Sequence, residues 1–140
     1  MPTLEELIQR CRDVGLRKTF MLRMILAKML ERKRPISVQQ LLETEGVAEN
    51  CNPATCYRLL TRLEEYQIIR RIGTHARAVH YVLNLPGFHH DYLICERCGK
   101  VEMIEEDCPV GNLERTIAAN TGFSGLYHEL IFFGTCPNCG

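Results

Sequence analysis

The apolar residues of the N-terminal half recur every three or four positions, which predicts a series of amphipathic helices. The predicted helices cover residues 3–15, 19–34, 37–46 and 52–69. Ser37 and Asn52 stand where helix N-caps are expected, and Pro53 takes the first position of the fourth helix. Pro35 ends the second helix, because proline cannot continue the helical hydrogen-bond ladder.

After the fourth predicted helix, the pattern changes from helical spacing to alternation. Residues 68–73 and 78–83 alternate as two strands, and residues 74–77 between them predict a hairpin. Helices followed by a β-ribbon are the order of a winged helix-turn-helix domain, whose last helix enters the major groove of DNA. The outer face of that helix carries Tyr57, Arg58 and Arg62.

The C-terminal part predicts a second, smaller unit that mixes strands with one helix. Strands are predicted over residues 91–95, 100–105 and 127–134, and a helix runs from Pro109 to Gly122. The predicted fold class is therefore α+β. The predicted boundaries are residues 1–84 for the first domain, 85–87 for the hinge and 88–140 for the second domain.

The two parts differ in charge, although the whole chain has a formal net charge of zero. Residues 1–84 hold fourteen Lys and Arg against nine Asp and Glu, whereas residues 85–140 hold three against eight. A basic N-terminal part suits a polyanionic partner such as nucleic acid. The acidic C-terminal part is expected to have a different function from nucleic-acid binding.

No run of eighteen apolar residues and no signal-peptide pattern occurs, so a cytoplasmic protein without a membrane partner is expected. In that reducing compartment, the eight cysteines are expected to be thiols or metal ligands rather than a disulfide framework.

Two C-x-x-C pairs carry the strongest chemical signal in the chain. Each pair can place two thiolates on one tetrahedral ion, and a glycine follows each second cysteine, as the tight turn of a zinc knuckle favours. The alternative is a pair of redox disulfides. The predicted structural zinc ligands are Cys95, Cys98, Cys136 and Cys139.

A second metal site is predicted from imidazole and carboxylate groups near the first knuckle. His89 and Asp91 share one face of an extended segment, because alternate side chains of a strand point the same way. His128, on another predicted strand, completes the set. These ligand types suit Zn²⁺, Fe²⁺ or Mn²⁺.

The stretches "HHDYLICERCGKV", "NPATCYRLLTRLEE", "GLRKT" and the closing "CPNC" together resemble the ferric uptake regulator family. The resemblance covers residues 3–139. It implies a homodimeric, metal-responsive transcription factor that represses its genes at a double-stranded DNA operator. It also implies a winged helix-turn-helix DNA-binding domain followed by a small α+β dimerisation domain.

The resemblance also implies roles for individual residues. The four knuckle cysteines match the structural zinc site, and His89, Asp91 and His128 match three regulatory ligands. The fourth ligand, an acidic residue in the family, falls near Gly111, and Glu114 can replace it only with a shift. The resemblance implies DNA contacts at Arg17, Tyr57, Arg58 and Arg70, and the residues themselves add Arg62 on the outer helix face and Arg71 as a phosphate contact. Arg58 is expected on a guanine and Tyr57 on a thymine methyl or a phosphate.

The hinge sensor site of the family is poorly matched, since Pro35 or Arg34 and Tyr92 stand where histidines are expected. Either this site is absent, or a rearranged set of ligands replaces it. The candidates for that set are His80, His90, Glu102, Glu105 and Cys108.

Two other functions remain open on the same residues. A peroxide or redox sensor would use iron that oxidises a ligand, or thiols such as Cys51, Cys56 and Cys108. A metalloenzyme is disfavoured, because no H-E-x-x-H motif occurs and four thiolates leave no open zinc position. The expected function is therefore regulation rather than catalysis.

Overall fold

A computed structural model of the 140-residue chain describes residues 2–32, 34–72, 79–85, 89–105 and 107–140. Contacts divide the chain into two compact units, residues 1–88 and residues 89–140. The predicted hairpin tip over 74–77 and most of the predicted hinge, residues 86 and 87, lie outside the described residues.

The first unit is built around the apolar faces of its helices. Helices α1 (Leu4–Asp13) and α2 (Phe20–Arg32) pack against each other. Thr3 and Glu6 form a reciprocal capping box at the start of α1. Leu7, Leu22, Leu26 and Ile25 are fully buried in a core that also includes residues from every later helix of this unit.

The third predicted helix is interrupted in the structure. Helix α3 (Val38–Leu42) is followed by a one-turn helix, α4 (Val47–Asn50), which was not predicted. Gly46 joins them with a φ of 89°, a left-handed conformation that costs glycine little. The predicted helix over 37–46 was therefore too long, because α3 ends at Leu42 with Glu43 as its C-cap and Gly46 is the N-cap of α4.

Helix α5 (Pro53–Glu65) is the fourth predicted helix, and its start is as predicted. The Asn52 side chain accepts a hydrogen bond from the Thr55 amide, and Pro53 opens the helix. Cys56, Leu60 and Leu63 are buried, so the opposite side of α5 faces solvent.

A three-stranded antiparallel sheet completes the first unit. Strands β1 (Ile36–Ser37), β2 (Ile69–Ile72) and β3 (His80–Leu83) lie in the order β1-β3-β2. The short β1 was not predicted, since two residues are too few for a recognisable alternation. The order of helices and β-ribbon is that of a winged helix-turn-helix.

The second unit places one helix and three strands close together. Strands β4 (Asp91–Cys95), β5 (Val101–Ile104) and β6 (Ile131–Gly134) form a sheet in the order β5-β4-β6. Strand β4 runs antiparallel to β5 and parallel to β6. The predicted α+β fold class is confirmed.

Helix α6 (Gly111–Thr121) ends as predicted at Gly122, which has a φ of 76°. None of its residues is fully buried within this chain. Strand β6 is shorter than predicted, so His128 lies in the extended segment before it rather than on a strand. In the described part of the chain, no helix combines the length and apolar character that a bilayer crossing requires.

Candidate metal centres

The sheet topology of the second unit brings the two C-x-x-C turns together. Cys95 is the last residue of β4, and Cys136 follows the parallel neighbour β6 by two residues. Parallel strands end at the same edge of a sheet, so both turns begin at that edge. The first turn is closed by a hydrogen bond from the Gly99 amide to the Cys95 carbonyl, and Gly99 has a φ of 77°.

The sulfurs of Cys95, Cys98, Cys136 and Cys139 (the cysteine cluster) all lie within 4.8 Å of one another. The Sγ atoms of Cys98 and Cys136 are 3.8 Å apart, and all four cysteines are free thiols. Disulfide sulfurs would be about 2.05 Å apart, whereas Zn–S bonds of about 2.3 Å in a tetrahedron give about 3.8 Å. The cysteine cluster therefore fits a tetrahedral zinc ion.

The electrostatics of the cysteine cluster also suit a cation. Amides of Cys98 and Cys136 donate to the Cys95 sulfur at 3.5 and 3.3 Å and lower the pKa of that thiol to about 6. The hydrogen bond between Cys139 and Cys136 raises the pKa of Cys139 to about 12. Adjacent thiolates repel one another, so full ionisation of all four requires a bound divalent cation.

A second group of possible ligands consists of His89, Asp91, Cys108 and His128 (the histidine cluster), whose ligand atoms also lie within 4.8 Å of one another. His89 Nε2 is 2.7 Å from Asp91 Oδ1, and His128 Nε2 is 3.9 Å from the same oxygen. The ring centroids of His89 and His128 are 4.3 Å apart, and the rings meet edge to face. The three predicted residues therefore come together, as the sequence indicated.

Three separate segments position this cluster. Asp91 is the first residue of β4, and its side chain is only 3% exposed. His128 precedes β6 and is held beside β4 by the hydrogen bond from the Tyr92 amide to the Leu130 carbonyl. Cys108 lies just before α6, with its Sγ 3.1 Å from His128 Nε2.

Cys108 takes the place that the sequence analysis gave to Glu114. Helix α6 begins at Gly111, so Glu114 lies one turn inside it and outside the histidine cluster. Its carboxylate instead contacts His128 Nδ1, the ring nitrogen that points away from Cys108. The structure thus places Glu114 against His128 rather than among the four grouped side chains, and its role as a fourth ligand stays a prediction.

The donor types of the histidine cluster fit a borderline divalent metal. Two imidazoles, one carboxylate and one thiol supply nitrogen, oxygen and sulfur donors. Burial raises the pKa of the Cys108 thiol, while the amides of Val110 and Gly111 act in the opposite direction. A cation that binds there has to displace the thiol proton.

The residues predicted for a rearranged hinge site are divided between the two units. His80 is buried in β3 of the first unit, whereas His90 and Glu105 are exposed in the second. Glu102 forms an ion pair with Lys100 at 2.7 Å. Cys108, the fifth residue of this set, belongs to the histidine cluster.

The predicted DNA-contact residues of α5 lie on its solvent face. Tyr57 is 53% exposed, and Arg58 and Arg62 are exposed beside it. The Arg58 guanidinium donates to the Thr55 hydroxyl at 3.2 Å, within its own helix. Such a face can approach a groove without any change in the core behind it.

The other predicted contacts differ in their surroundings. Arg17 is exposed before α2, and Arg70 is half-buried in β2. Arg71 makes an ion pair with Glu64 at 2.7 Å and lies 5.8 Å from the centre of the Tyr81 ring. Arg71 therefore links β2 to α5, in addition to its predicted role in DNA contact.

The thiols considered for redox sensing differ in burial and in their neighbours. Cys56 is buried in α5, and burial raises its pKa to about 11, which makes it unreactive. Cys51 is half-buried and donates to the Asn52 carbonyl at 3.2 Å. Of these thiols, Cys108 lies in a cluster of ligand groups.

Comparison with known proteins identifies the family of the chain. Residues 13–133 match the ferric uptake regulator family. The chain is 31% identical over 137 residues to the ferric uptake regulation protein of Legionella pneumophila, which covers 94% of this chain and 96% of that protein.

Solved structures give the same result for the fold. The Helicobacter pylori ferric uptake regulator, described as having three functional metal-binding sites, matches 99% of this chain and 94% of its own with a TM-score of 0.76 at 21% identity. The Vibrio cholerae regulator matches 91% of this chain and 98% of its own, with a TM-score of 0.68 and 27% identity. The chain therefore belongs to the ferric uptake regulator family of metal-responsive transcription regulators.

Proposed function

We propose that this chain is a homodimeric transcriptional repressor that binds operator DNA when a divalent metal occupies the histidine cluster, and that the cysteine cluster holds a structural zinc. The convergence of His89, Asp91, Cys108 and His128 carries this proposal. These residues come from three separate segments, so a bound ion would cross-link them.

The chain's own residues explain how such a site can act as a switch. Asp91 is buried and its carboxylate already has His89 as a partner, so the site is largely preorganised. A ligand shifts an equilibrium between two arrangements only by its difference in affinity for them, typically about 1–3 kcal/mol. The ligands we assign lie within the second unit, so we expect the metal to act through dimer geometry and operator half-site spacing.

DNA binding is assigned to the first unit. The solvent face of α5 carries Tyr57, Arg58 and Arg62, which suits base-edge and phosphate contacts in the major groove. Phosphate contacts dominate the affinity of such interfaces, so operator binding should weaken steeply as salt rises.

Homodimerisation is assigned to the second unit because it exposes much apolar surface. Leu113 and Ile117 lie one turn apart on α6 and are 54% and 41% exposed. Phe132 and Phe133 on β6 are 50% and 45% exposed. Apolar surface of this extent on a small unit suits burial against a second copy of the chain.

The test replaces His89 and His128 singly with alanine and measures operator binding against metal concentration. We expect both variants to remain folded and to lose most of the metal dependence, since each loses one ligand. His90→Ala is the matched control, because His90 is adjacent and exposed but lies outside the cluster. Unchanged metal dependence in both ligand variants would refute the proposal.

A peroxide-responsive regulator is the second candidate, and the position of Cys108 favours it. A thiolate ligand can be oxidised by a hydroperoxide to a sulfenate while the peroxide is reduced to an alcohol or water. Release of operator DNA by peroxide, with Cys108→Ser resistant, would support this candidate. Release by metal chelation alone supports the metal sensor.

A further inference from the structure

The histidine cluster contains a thiol where the sequence predicted a carboxylate, and this difference in donor chemistry has a consequence for metal choice. Resting on the proposed function, we propose that the exchangeable ion is bound by His89, Asp91, His128 and the Cys108 thiolate, a donor set that selects zinc-like ions over Mn²⁺ and Fe²⁺. Glu114 is then a positioning residue for His128.

The orientation of the His128 ring separates the two roles. An imidazole binds a metal through one nitrogen and uses the other for a hydrogen bond that fixes the ring. Nε2 of His128 faces the Cys108 sulfur at 3.1 Å and Asp91 at 3.9 Å, whereas Nδ1 contacts the Glu114 carboxylate. Nε2 is therefore the nitrogen directed at the site, and Glu114 stands behind the ring.

The spacing of the ligand atoms agrees with a four-coordinate ion. Tetrahedral zinc with ordinary Zn–N and Zn–S bonds separates nitrogen and sulfur ligands by about 3.6 Å and nitrogen and oxygen ligands by about 3.4 Å. The distances of 3.1 Å for Cys108–His128, 2.7 Å for His89–Asp91 and 3.9 Å for Asp91–His128 lie on both sides of these values. Each of the three distances is within about 0.7 Å of the corresponding value for tetrahedral zinc.

The thiolate decides which ions are favoured. Manganese prefers oxygen donors in an octahedral arrangement, whereas thiolate and imidazole donors in a four-coordinate site favour zinc. With Glu114 as the fourth ligand the donors would be two nitrogens and two oxygens, and the preference for zinc would be weaker. The identity of one side chain thus changes the class of ion to which the site responds.

The test loads the exchangeable site of the full-length protein with Co²⁺ while the structural zinc is retained. The near-ultraviolet thiolate-to-cobalt absorption band reports a sulfur ligand. We expect this band in the wild type, its loss in Cys108→Asp and in Cys108→Ser, and retained visible cobalt bands in Cys108→Asp because a carboxylate still binds. Cys51→Ser is the matched control and should keep the wild-type spectrum, because Cys51 lies outside both clusters.

Glu114→Gln separates a ligand from a positioning residue. We expect it to keep the thiolate band and to weaken cobalt affinity by roughly 10–100-fold, the range found for partners of metal ligands. In competition titrations, Cys108→Asp should lower the preference for Zn²⁺ over Mn²⁺, because a sulfur donor is replaced by an oxygen donor.

The outcomes distinguish failure of this inference from failure of the proposed function. A thiolate band that persists in both Cys108 variants overturns the assignment of Cys108. A band that disappears in Glu114→Gln at saturating Co²⁺ overturns the positioning role of Glu114. Both results leave the proposed function intact. Wild-type protein that takes up no exchangeable ion overturns both. A variant that fails to fold is recognised by loss of its structural zinc, and Glu114→Gln then decides the question.

Discussion

His128 illustrates how much of this site depends on single contacts. Its ring is 23% exposed and lies between a thiol on one nitrogen and a carboxylate on the other. Asp91, almost fully buried, has His89 as its close partner. Side chains held by fixed partners have little rotamer freedom to lose, so an ion proposed to bind here would require little ordering of Asp91 and His128.

Two arginines of the first unit should behave differently when replaced with alanine. Arg58 is exposed with one contact inside its own helix, so Arg58→Ala should weaken operator binding by about 1–3 kcal/mol and relax base specificity. Arg71 forms an ion pair with Glu64. Arg71→Ala should therefore mainly remove this exposed ion pair, which is worth about 0–1 kcal/mol of folding stability.

Fluorescence anisotropy with operator and scrambled duplexes measures the first effect, and urea unfolding measures the second. A larger loss of operator affinity in Arg71→Ala than in Arg58→Ala would contradict this ranking.

At single positions, the sequence largely predicted which side chains come together, but it did not predict the position of every member of each cluster. The cysteine pairs and the His89, Asp91 and His128 set follow from residue type and spacing. Cys108 was assigned to another site, because a lone cysteine in a loop has no spacing that identifies its partners. The only available signal was its position just before a predicted helix, close to where a fourth ligand was expected.

Secondary-structure elements were predicted where amphipathic periodicity is long and were missed where an element spans one turn or two residues. Helices α2, α5 and α6 have clear start or stop residues, whereas α4 and β1 are too short to show a period. Their position is set by the turn at Gly46 and by pairing of Ile36 and Ser37 with β3. Such features depend on tertiary contacts rather than on local propensity.

The turn between α3 and α4 offers a matched pair of substitutions. Gly46 and Gly15 have nearly the same φ, 89° and 90°, but a Cβ on Gly46 would lie 2.5 Å from the Met24 Cε, while one on Gly15 meets nothing within 4 Å. Both alanine variants should lose about 1–2 kcal/mol through left-handed strain. Gly46→Ala should lose more, because Met24 must also move.

Thermal unfolding of the two variants provides the comparison, and Met24→Ala combined with Gly46→Ala should recover the excess. Equal losses in Gly15→Ala and Gly46→Ala would show that the Met24 contact is unimportant.

The two units differ in how they are stabilised. The first has a continuous apolar core, whereas the buried apolar side chains described in the second are Tyr92, Ile94 and Cys95. A unit of about fifty residues with so small a core needs another source of stability. The cysteine cluster, if it holds zinc, supplies that source.

Cys136→Ser should therefore abolish tight zinc binding and unfold the second unit while the first unit remains folded. Hydrogen exchange should show lost protection in β4, β6 and α6 and retained protection in α1, α2 and α5. Cys51→Ser, a cysteine of the first unit, should preserve both zinc content and protection. Protection of β4 that survives removal of the zinc would contradict a structural role for the ion.

The proposed dimer can be tested on α6. Ile117→Glu places a charge in the exposed apolar patch and should convert the dimer into monomers in sedimentation experiments. Ala119→Glu, on another face of the same helix, should leave the dimer intact. Identical sedimentation of wild type and Ile117→Glu would locate the interface elsewhere.

Strand β4 begins with Asp91 and ends with Cys95, so one five-residue strand contributes to both clusters. Its two ends are separated by only about 13 Å at the rise of a β-strand. Metallation should consequently be hierarchical: zinc fixes the strand first, and the exchangeable ion can be captured only afterwards. A cell short of zinc would then produce a regulator that is insensitive to its signal, whatever the supply of that second ion.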